Sequence, residues 1–368
     1  MKSVTKKRRR RWRESDSKQR PDPAGLGPAS ALCRSLPNPT PACEISAMTR
    51  ADIERMDEIF FPNLASAMKK ASAGGFRLAY YTTAETAMRI LANQEVWLRN
   101  TAVMNDYMEV QHGMRCLHEA WQKSDGAKRV KSLLEELHAG AVARLESTYN
   151  SWHTKIQSDT FIACVSEHQA SENDHGRLSM WRAYGGKAGV AFVFKPDFLS
   201  QETNAIGAYS HPVSYLDGSN FAVGLNALAD RMEQAKPFLK NRTGDEMHNI
   251  AFSLLLWSAI ATKHPGFAEE REWRVVAVPS MWKSEIMRQT VEVVRGIPQP
   301  VLKLPLRNFP AHNIWSLAIP ELLDRIVIGP CDNPRILARA FSELLSQAGV
   351  KDVAEKITSS GIPLRHLV

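Results

Sequence analysis

The stretch Glu269-Glu270-Arg271-Glu272-Trp273-Arg274-Val275-Val276-Ala277-Val278 is the part of the sequence that decides the fold. Its second half, with β-branched residues and an aromatic residue, predicts a strand. Alternate side chains of a strand point to the same face, so Glu270, Glu272 and Arg274 would share one face and Trp273 would lie on the other. Two acids and a base directly before an apolar run need partners, because an unsatisfied buried charge is costly. The stretch therefore predicts a site that holds an ion-pair network, a ligand or a reaction.

The net charge of +8 is concentrated at the start of the 368-residue chain, where the first 20 residues hold ten Lys or Arg and two acids. Residues 1–47 have no apolar period and carry six prolines between Pro21 and Pro41. This composition predicts a disordered extension, because it buries too little apolar surface to offset its ordering entropy. A weak nucleic-acid-binding arm and a non-functional extension are both open interpretations of the segment. The rest of the chain is nearly neutral, which gives no general indication of nucleic-acid binding.

The cysteines and the apolar segments indicate where the protein works. The five cysteines are odd in number and widely scattered, which is not typical of a disulfide framework. The longest apolar stretch, Ile250–Ala261, is too short to span a bilayer. We therefore expect a cytoplasmic protein that does not enter the membrane.

The order of the remaining patterns predicts an α+β fold with a mixed sheet and flanking helices. We expect one domain over residues 48–368, with its core near residues 78–330 and a helical hairpin inserted near residues 105–147. The second helix of that hairpin is expected from Ala127 to Leu145. Gly189–Phe194 is a continuous apolar run that predicts a central strand. Thr82, followed three residues later by Glu85, predicts a capping box that starts a helix.

Three further segments carry polar aromatic or amide side chains next to predicted turns, where such groups often line pockets. Tyr80 and Tyr81 precede the helix capped by Thr82, Asn105-Asp106 starts another helix, and Trp181 and Tyr184 share a face of a short one. Each also has a structural interpretation. In that interpretation the amides and hydroxyls serve only as caps, Trp181 as core, and Glu272 as a partner of Arg274 or Arg182. His168 and His175 indicate a solvated loop, and no metal site is expected.

Together these segments resemble a bacterial family known as Domain of Unknown Function 2971. The shared motifs are Tyr80-Tyr81-Thr82, Asn105-Asp106, Ser166-Glu167, Trp181-Arg182-Ala183-Tyr184 and Glu270-Arg271-Glu272-Trp273-Arg274. They occur in the family's order over roughly residues 78–278. The family carries no settled activity, so the resemblance implies membership of a family but no particular reaction.

A more distant resemblance is to the ADP-ribosyltransferases, some of which carry a Glu-x-Glu such as Glu270-Arg271-Glu272. That resemblance implies NAD as the candidate cofactor and Glu272 as the catalytic carboxylate, assisted by Glu270. A carboxylate there would stabilise positive charge that develops on a ribose. Tyr80 stands where those enzymes have an Arg or a His.

Three functions are consistent with the sequence. The first is an enzyme acting on a small-molecule or nucleotide-type ligand, bound by the residues Tyr80, Tyr81, Asn105, Asp106, Trp181, Tyr184 and Arg274. The second is a metal-dependent nuclease that uses the carboxylates Asp106, Glu109, Glu270 and Glu272. The third is a non-enzymatic ligand- or protein-binding module in which the charges only lock the fold. An open cleft at the converging motifs would favour catalysis, and closure by ion pairing would favour the third.

Overall fold

Two short helices begin the part of the chain that the structure describes. In this computed structural model the described residues are 48–104, 107–200 and 204–363, so the basic segment 1–47 lies outside them. Helix α1 (Arg50–Phe60) starts at a capping box between Thr49 and Asp52, and helix α2 is Pro62–Ser72. Proline lacks the N–H needed to continue a helix, which is why α1 ends before Phe61 and a new helix starts at Pro62.

A large mixed sheet follows, and its strands confirm the predicted α+β class. Its strands are β1 (Arg77–Thr83), β2 (Glu95–Asn100), β3 (Phe161–His168), β4 (Gly189–Phe194), β5 (Tyr209–Pro212), β8 (Glu272–Ala277), β9 (Arg288–Val294), β10 (Ile297–Pro305), β11 (Leu323–Ile328) and β12 (Ile357–Ser359). Strands β6 (Ser214–Tyr215) and β7 (Thr262–Lys263) form a separate parallel pair. The strand order is β12-β11-β4-β1-β3-β2-β10-β9, and among the described strands of this sheet only β11 and β12 run parallel.

Strand β3 is the branch point of the sheet. One edge of β3 pairs with β1 near its end, where Ser166 lies opposite Ala79, and with β2 near its start, where Ile162 lies opposite Arg99. Its other edge pairs with β8, which in turn pairs with β5. Because β1 and β2 share one edge of β3, they diverge from each other beyond it.

Helices cover the sheet and surround a buried helix. They are α3 (Ala84–Asn93), α4 (Tyr107–Lys123), α5 (Asp125–Leu137), α6 (Ala141–Ser158), α7 (Leu178–Tyr184), α8 (Gly218–Gln234), α9 (Lys236–Leu239), α10 (Gly244–Ile260), α11 (Ile319–Leu322) and α12 (Pro334–Gln347). Helix α10 is apolar on nearly every side, and most of its length is buried in the largest hydrophobic cluster. Among the described residues, no helix has both the length and the apolar character needed to cross a membrane.

Two helix boundaries differ from the sequence prediction. The helix expected from Ala127 to Leu145 is two helices, α5 and α6, because Gly140 adopts a left-handed φ of 80° between them, a conformation that glycine adopts without steric cost. The cap expected at Thr82 is at Thr83, whose hydroxyl accepts a hydrogen bond from the Thr86 amide. The central strand β4 and the short helix α7 lie where the sequence predicts them.

Candidate functional site

Four charged side chains meet between the end of α10 and the start of β8. The Lys263 Nζ lies 2.7 Å from Glu270 Oε2 and 2.9 Å from Glu272 Oε2. The Arg274 Nε donates to Glu272 Oε1 at 2.7 Å. Two acids face two bases, so the cluster is neutral as a whole. We call Lys263, Glu270, Glu272 and Arg274 the charge network.

The charge network is closed to solvent at its centre. The side chains of Lys263, Glu272 and Arg274 are 2%, 5% and 0% exposed. Burial raises the pKa of Glu272, but the positive charges of Arg274 and Lys263 outweigh burial and lower that pKa to about 2. Both oxygens of the Glu272 carboxylate are therefore occupied by cations, and the group is ionised at neutral pH.

Arg274 and Tyr215 also form hydrogen bonds with the backbone around the charge network. The Arg274 Nη1 donates to the carbonyl of Ile260, the last residue of α10. That carbonyl belongs to the end of a helix, where backbone acceptors have no partner within the helix and positive charge is favourable. The Glu272 amide donates to the Tyr215 hydroxyl at 2.7 Å. The network thus joins α10, β6, β7 and β8.

Glu270 reaches the network through a turn and not through the predicted strand. Residues Pro265–Glu270 form a 3₁₀ turn, and Arg271 follows in the left-handed region at a φ of 44°. Strand β8 begins only at Glu272. Glu270 and Glu272 still converge, because the turn directs the Glu270 carboxylate towards the same Lys263.

The outer side of the charge network faces solvent. Glu270 is 18% exposed, and the hydroxyl of the exposed Tyr184 donates to Glu270 Oε1 at 3.3 Å. The Lys263 Nζ lies 4.7 Å from the ring centre of the exposed Phe267. Glu270, Tyr184 and Phe267 therefore form the accessible rim of an otherwise buried cluster.

Arg177 holds the turn that carries Glu270. Its Nη1 donates to the carbonyls of Glu269 and Glu270 at 2.7 and 3.0 Å, and its Nη2 donates to the carbonyl of Glu167 at 2.8 Å. Its Nε lies 3.0 Å from Glu172 Oε1, and Glu172 also pairs with Arg271. Arg177 is itself buried, so its fork of donors fixes the turn against the end of β3.

Tyr81 and Trp181 lie beside the charge network but inside the protein. Their rings meet edge to face at 4.8 Å, and Trp181 is 1% exposed. The Tyr81 hydroxyl accepts from the Arg177 amide at 3.0 Å, and burial raises the Tyr81 pKa to about 12. A Cβ added at Gly176, Gly189 or Gly329 would come within 2.9 Å of the Trp181 ring. The ring is therefore a tightly enclosed part of the core.

Tyr80 faces the opposite side of the sheet, as alternation along β1 requires. It lines an apolar cavity of about 580 Å³ beneath α1 and α2. We call this space the apolar cavity; its walls include the residues Leu64, Met68, Tyr80, Ala163, Trp257 and Val275. Its walls also include Leu98 of β2. Because β1 and β2 both pair with β3, the cavity lies where these two strands diverge.

The remaining sequence-predicted residues fall outside what the structure describes. Asn105 and Asp106 lie between described segments, and the side chain of Glu109 is not described. Within the described residues, no three His, Cys, Asp or Glu side chains are grouped as metal ligands. The nuclease hypothesis therefore gains no support from the part of its acidic cluster that is described.

Sequence analysis missed two residues on which the site depends. Lys263 lies in a two-residue strand without periodicity, and Arg177 lies in a polar loop before α7. Arg177 contacts the distant turn at Glu269 and Glu270, and Lys263 contacts Glu270 across that same turn. A signal for Lys263 was present, because it follows the apolar second half of α10 and precedes three acids within ten residues.

The fold and the charge network define an α+β protein with a neutral ion cluster that is buried at its centre and partly exposed at its rim. The family model described as "Protein of unknown function (DUF2971)" matches residues 180–275. This confirms the family resemblance over the segment that contains Trp181, Tyr184, Glu270, Glu272 and Arg274. No curated protein and no solved structure matches the chain.

Proposed function

We propose that this chain binds an uncharged, largely apolar small molecule in the apolar cavity, and that the charge network stabilises the fold around it. The observation that carries the proposal is the cavity itself. Its volume of about 580 Å³ lies within the range of small-molecule sites, which are typically about 300–1,000 Å³ and mainly apolar. This is the ligand-binding form of the third function considered from the sequence.

The chemistry of the walls indicates the ligand class. Among the described residues that line the apolar cavity, Lys69 is the only base, and it lies 2.8 Å from Glu58. Glu54 and Asp57 add negative charge to the same helical wall. A phosphate group would meet repulsion and few donors there, so the walls favour a neutral ligand over a nucleotide. Tyr80 and Trp257 offer aromatic surfaces for such a ligand.

The expected compartment is the bacterial cytoplasm. Among the described residues, Cys116, Cys164 and Cys331 form no disulfide. Cysteines that stay reduced are typical of a reducing compartment.

Filling the apolar cavity tests the proposal. Ala163→Leu places a larger side chain in the cavity, and a thermal-shift screen of neutral apolar compounds should then lose the hits that stabilise the wild type. Ala139→Leu, at an exposed position, is the matched control and should keep those hits. Hits that stabilise wild type and Ala163→Leu equally would contradict the proposal.

A second candidate function is the enzymatic one, with a nucleotide-type ligand and NAD as the candidate cofactor. It is favoured by the accessible rim, where a partly exposed carboxylate of Glu270 lies beside Tyr184 and Phe267. Exposed aromatic rings next to a carboxylate offer stacking and charge to a base and a ribose. In this function Glu270 is the carboxylate that solvent reaches, and Glu272 holds Lys263 and Arg274 in place.

The enzymatic candidate is tested with purified wild type and Glu270→Gln. NAD cleavage and nuclease activity are measured side by side, after the two proteins have been shown to have equal melting temperatures. Turnover by wild type that Glu270→Gln abolishes would support this candidate. Absence of both activities in a well-folded wild type would contradict it.

A further inference from the structure

Strand β9 ends the sheet without a described partner on its outer side. Among the described residues, the strand order closes at β9, which pairs only with β10. The strand spans seven residues, Arg288-Gln289-Thr290-Val291-Glu292-Val293-Val294, and contains no Pro, Gly or Lys. Natural edge strands are usually short, bulged or interrupted by such residues, because a long regular edge attracts another strand.

The other exposed edges of the sheet are protected in these ordinary ways. The opposite end of the sheet is β12, which has only three residues, and the side strand β5, which pairs with β8, has only four. On β10, Pro298 and Pro300 lie beyond the last residue paired with β2, and prolines cannot donate to a further strand. The regular edge of β9 is therefore an exception within its own sheet.

An apolar strip accompanies this edge. Val291 and Val293 are 71% and 62% exposed and point to the same face because they are two residues apart. Their cross-strand neighbours on β10 are Pro300 and Pro298, which are also exposed. A partner strand beside β9 would cover part of this strip, which water otherwise contacts.

We propose that β9 pairs with β9 of a second copy of this chain, antiparallel and centred on Thr290. This register places Arg288 opposite Glu292 of the other copy, twice in each dimer. Opposite charges directly across an antiparallel pair are favourable and like charges are not. A two-fold axis through Thr290 satisfies both contacts at once, which is the symmetry of most homodimers.

The side chains have room for these contacts. Arg288 is 68% exposed and lies 3.7 Å from Glu95, while Glu292 is 31% exposed and accepts from Lys303 at 2.6 Å. Lys303 also pairs with Glu95, so Glu292 keeps a cation within its own chain while Arg288 approaches from the other. The charge pattern therefore favours a second copy over an unrelated acidic or basic partner.

The proposed dimer is weak and reversible. Seven residues span about 23 Å at about 3.3 Å per residue. One strand pair of that length buries less than the roughly 800 Å² per partner of a standard interface. We expect monomers at low concentration and dimers at high concentration.

Sedimentation velocity over a wide range of concentration tests the proposal. Arg288→Glu and Glu292→Arg should each raise the dimer dissociation constant by about tenfold or more, because like charges then face each other. An equimolar mixture of the two variants should dimerise again, because each copy then offers the charge that the other lacks. This mixture also shows that both variants are folded.

Val291→Lys is a second variant that leaves these ion pairs untouched. It places a charge on the apolar strip and should also weaken the dimer, whereas Val223→Lys, at an exposed position on α8, should not. A wild type that stays monomeric at every concentration would overturn the proposal. So would a dimer that Val291→Lys leaves unchanged, or a mixture of the charge variants that remains monomeric.

Discussion

Glu272 illustrates how one residue's environment decides between two roles. Its carboxylate is buried, yet two cations contact its two oxygens and keep it ionised. A carboxylate in this state is a poor general acid, since its proton is lost far below neutral pH. Breaking a buried pair by removing one partner is strongly destabilising, because the other charge is left uncompensated.

Glu272→Gln should therefore act on stability. We expect a loss of about 3–5 kcal/mol in the free energy of unfolding, measured by urea denaturation. Glu270→Gln, at the accessible rim, should cost less than Glu272→Gln, because solvent reaches the Glu270 carboxylate while Glu272 is enclosed between two cations. Equal and small losses for both variants would show that the charge network does not hold the fold.

Glycine residues pack directly against the Trp181 ring, where a larger residue would not fit. A methyl group at Gly329 would lie 2.7 Å from the Trp181 ring, closer than real contacts allow. Gly329→Ala should therefore cost about 1–3 kcal/mol, as overpacking of a core does.

The matched control is the double variant Gly329→Ala/Trp181→Phe. A smaller ring leaves room for the new methyl group, so the two changes should cost less together than the sum of their separate effects. The comparison uses urea denaturation of both single variants and the double variant. Strict additivity would mean that the ring and Gly329 do not press on each other.

At the scale of elements, the turn Pro265–Glu270 is held by Arg177 and by the charge network from opposite sides. Arg177 donates to three backbone carbonyls, which only a planar fork of donors reaches together. Lysine has the same charge but no fork. The orientation of Glu270 thus depends on a residue more than ninety positions away.

Arg177→Lys should loosen this turn. We expect a loss of about 1–3 kcal/mol, since buried carbonyls lose their donors, and faster amide exchange in residues 265–271 by mass spectrometry. Arg182→Lys, at an exposed position of α7, is the control. Unchanged exchange in Arg177→Lys would mean that charge alone, without the fork, holds the turn.

Some elements could be predicted from sequence because a local pattern determines them. Gly189–Phe194 and the helix through Phe252 were found from their continuous apolar character, which needs no partner to be recognised. The break at Gly140 was missed because the apolar pattern continues across it. Thr83 replaces Thr82 as the cap because adjacent threonines are equally good caps and tertiary pairing of β1 decides between them.

The candidate site could be predicted in part. The spacing of Glu272 and Arg274 was enough to predict a charged face, and Trp273 does lie on the other side. The structural role of Lys263 could not be predicted, because it depends on how α10 ends. The apolar cavity had no sequence signal, since residues as distant as Leu64, Ala163 and Val275 form it.

For the whole molecule, buried ionisable groups predict that stability falls in acid. Burial lowers the pKa of His211 from its ordinary 6.5 to about 4. The unfolded chain therefore takes up a proton that the folded protein resists, so stability is lost as the pH falls from 6.5 towards 4. The pKa of Glu272, lowered from 4.5 to about 2, adds a further loss below pH 4.5.

His211→Phe tests the first of these stages. Phenylalanine can keep the stacking that His211 makes on Trp257 but cannot take up a proton. Its urea midpoint should fall less than that of wild type between pH 6.5 and 4. Part of the change of the urea midpoint with pH should remain, because burial also lowers the pKa of His168 and His248. If the urea midpoint of His211→Phe changed with pH as much as that of wild type, His211 would have the same pKa in the folded and unfolded states.

For the whole molecule, the proposed role is ligand binding in the apolar cavity, with the charge network as the structure that supports it. The most direct measurement is a fluorescence titration of the protein with Nile red, an uncharged apolar dye, repeated with Ala163→Leu and with Ala139→Leu. We predict saturable binding at one site in wild type and Ala139→Leu, and at least about tenfold weaker binding in Ala163→Leu, a loss of about 1.4 kcal/mol. Equal binding by Ala163→Leu, or no saturable binding by the wild type, would contradict the account.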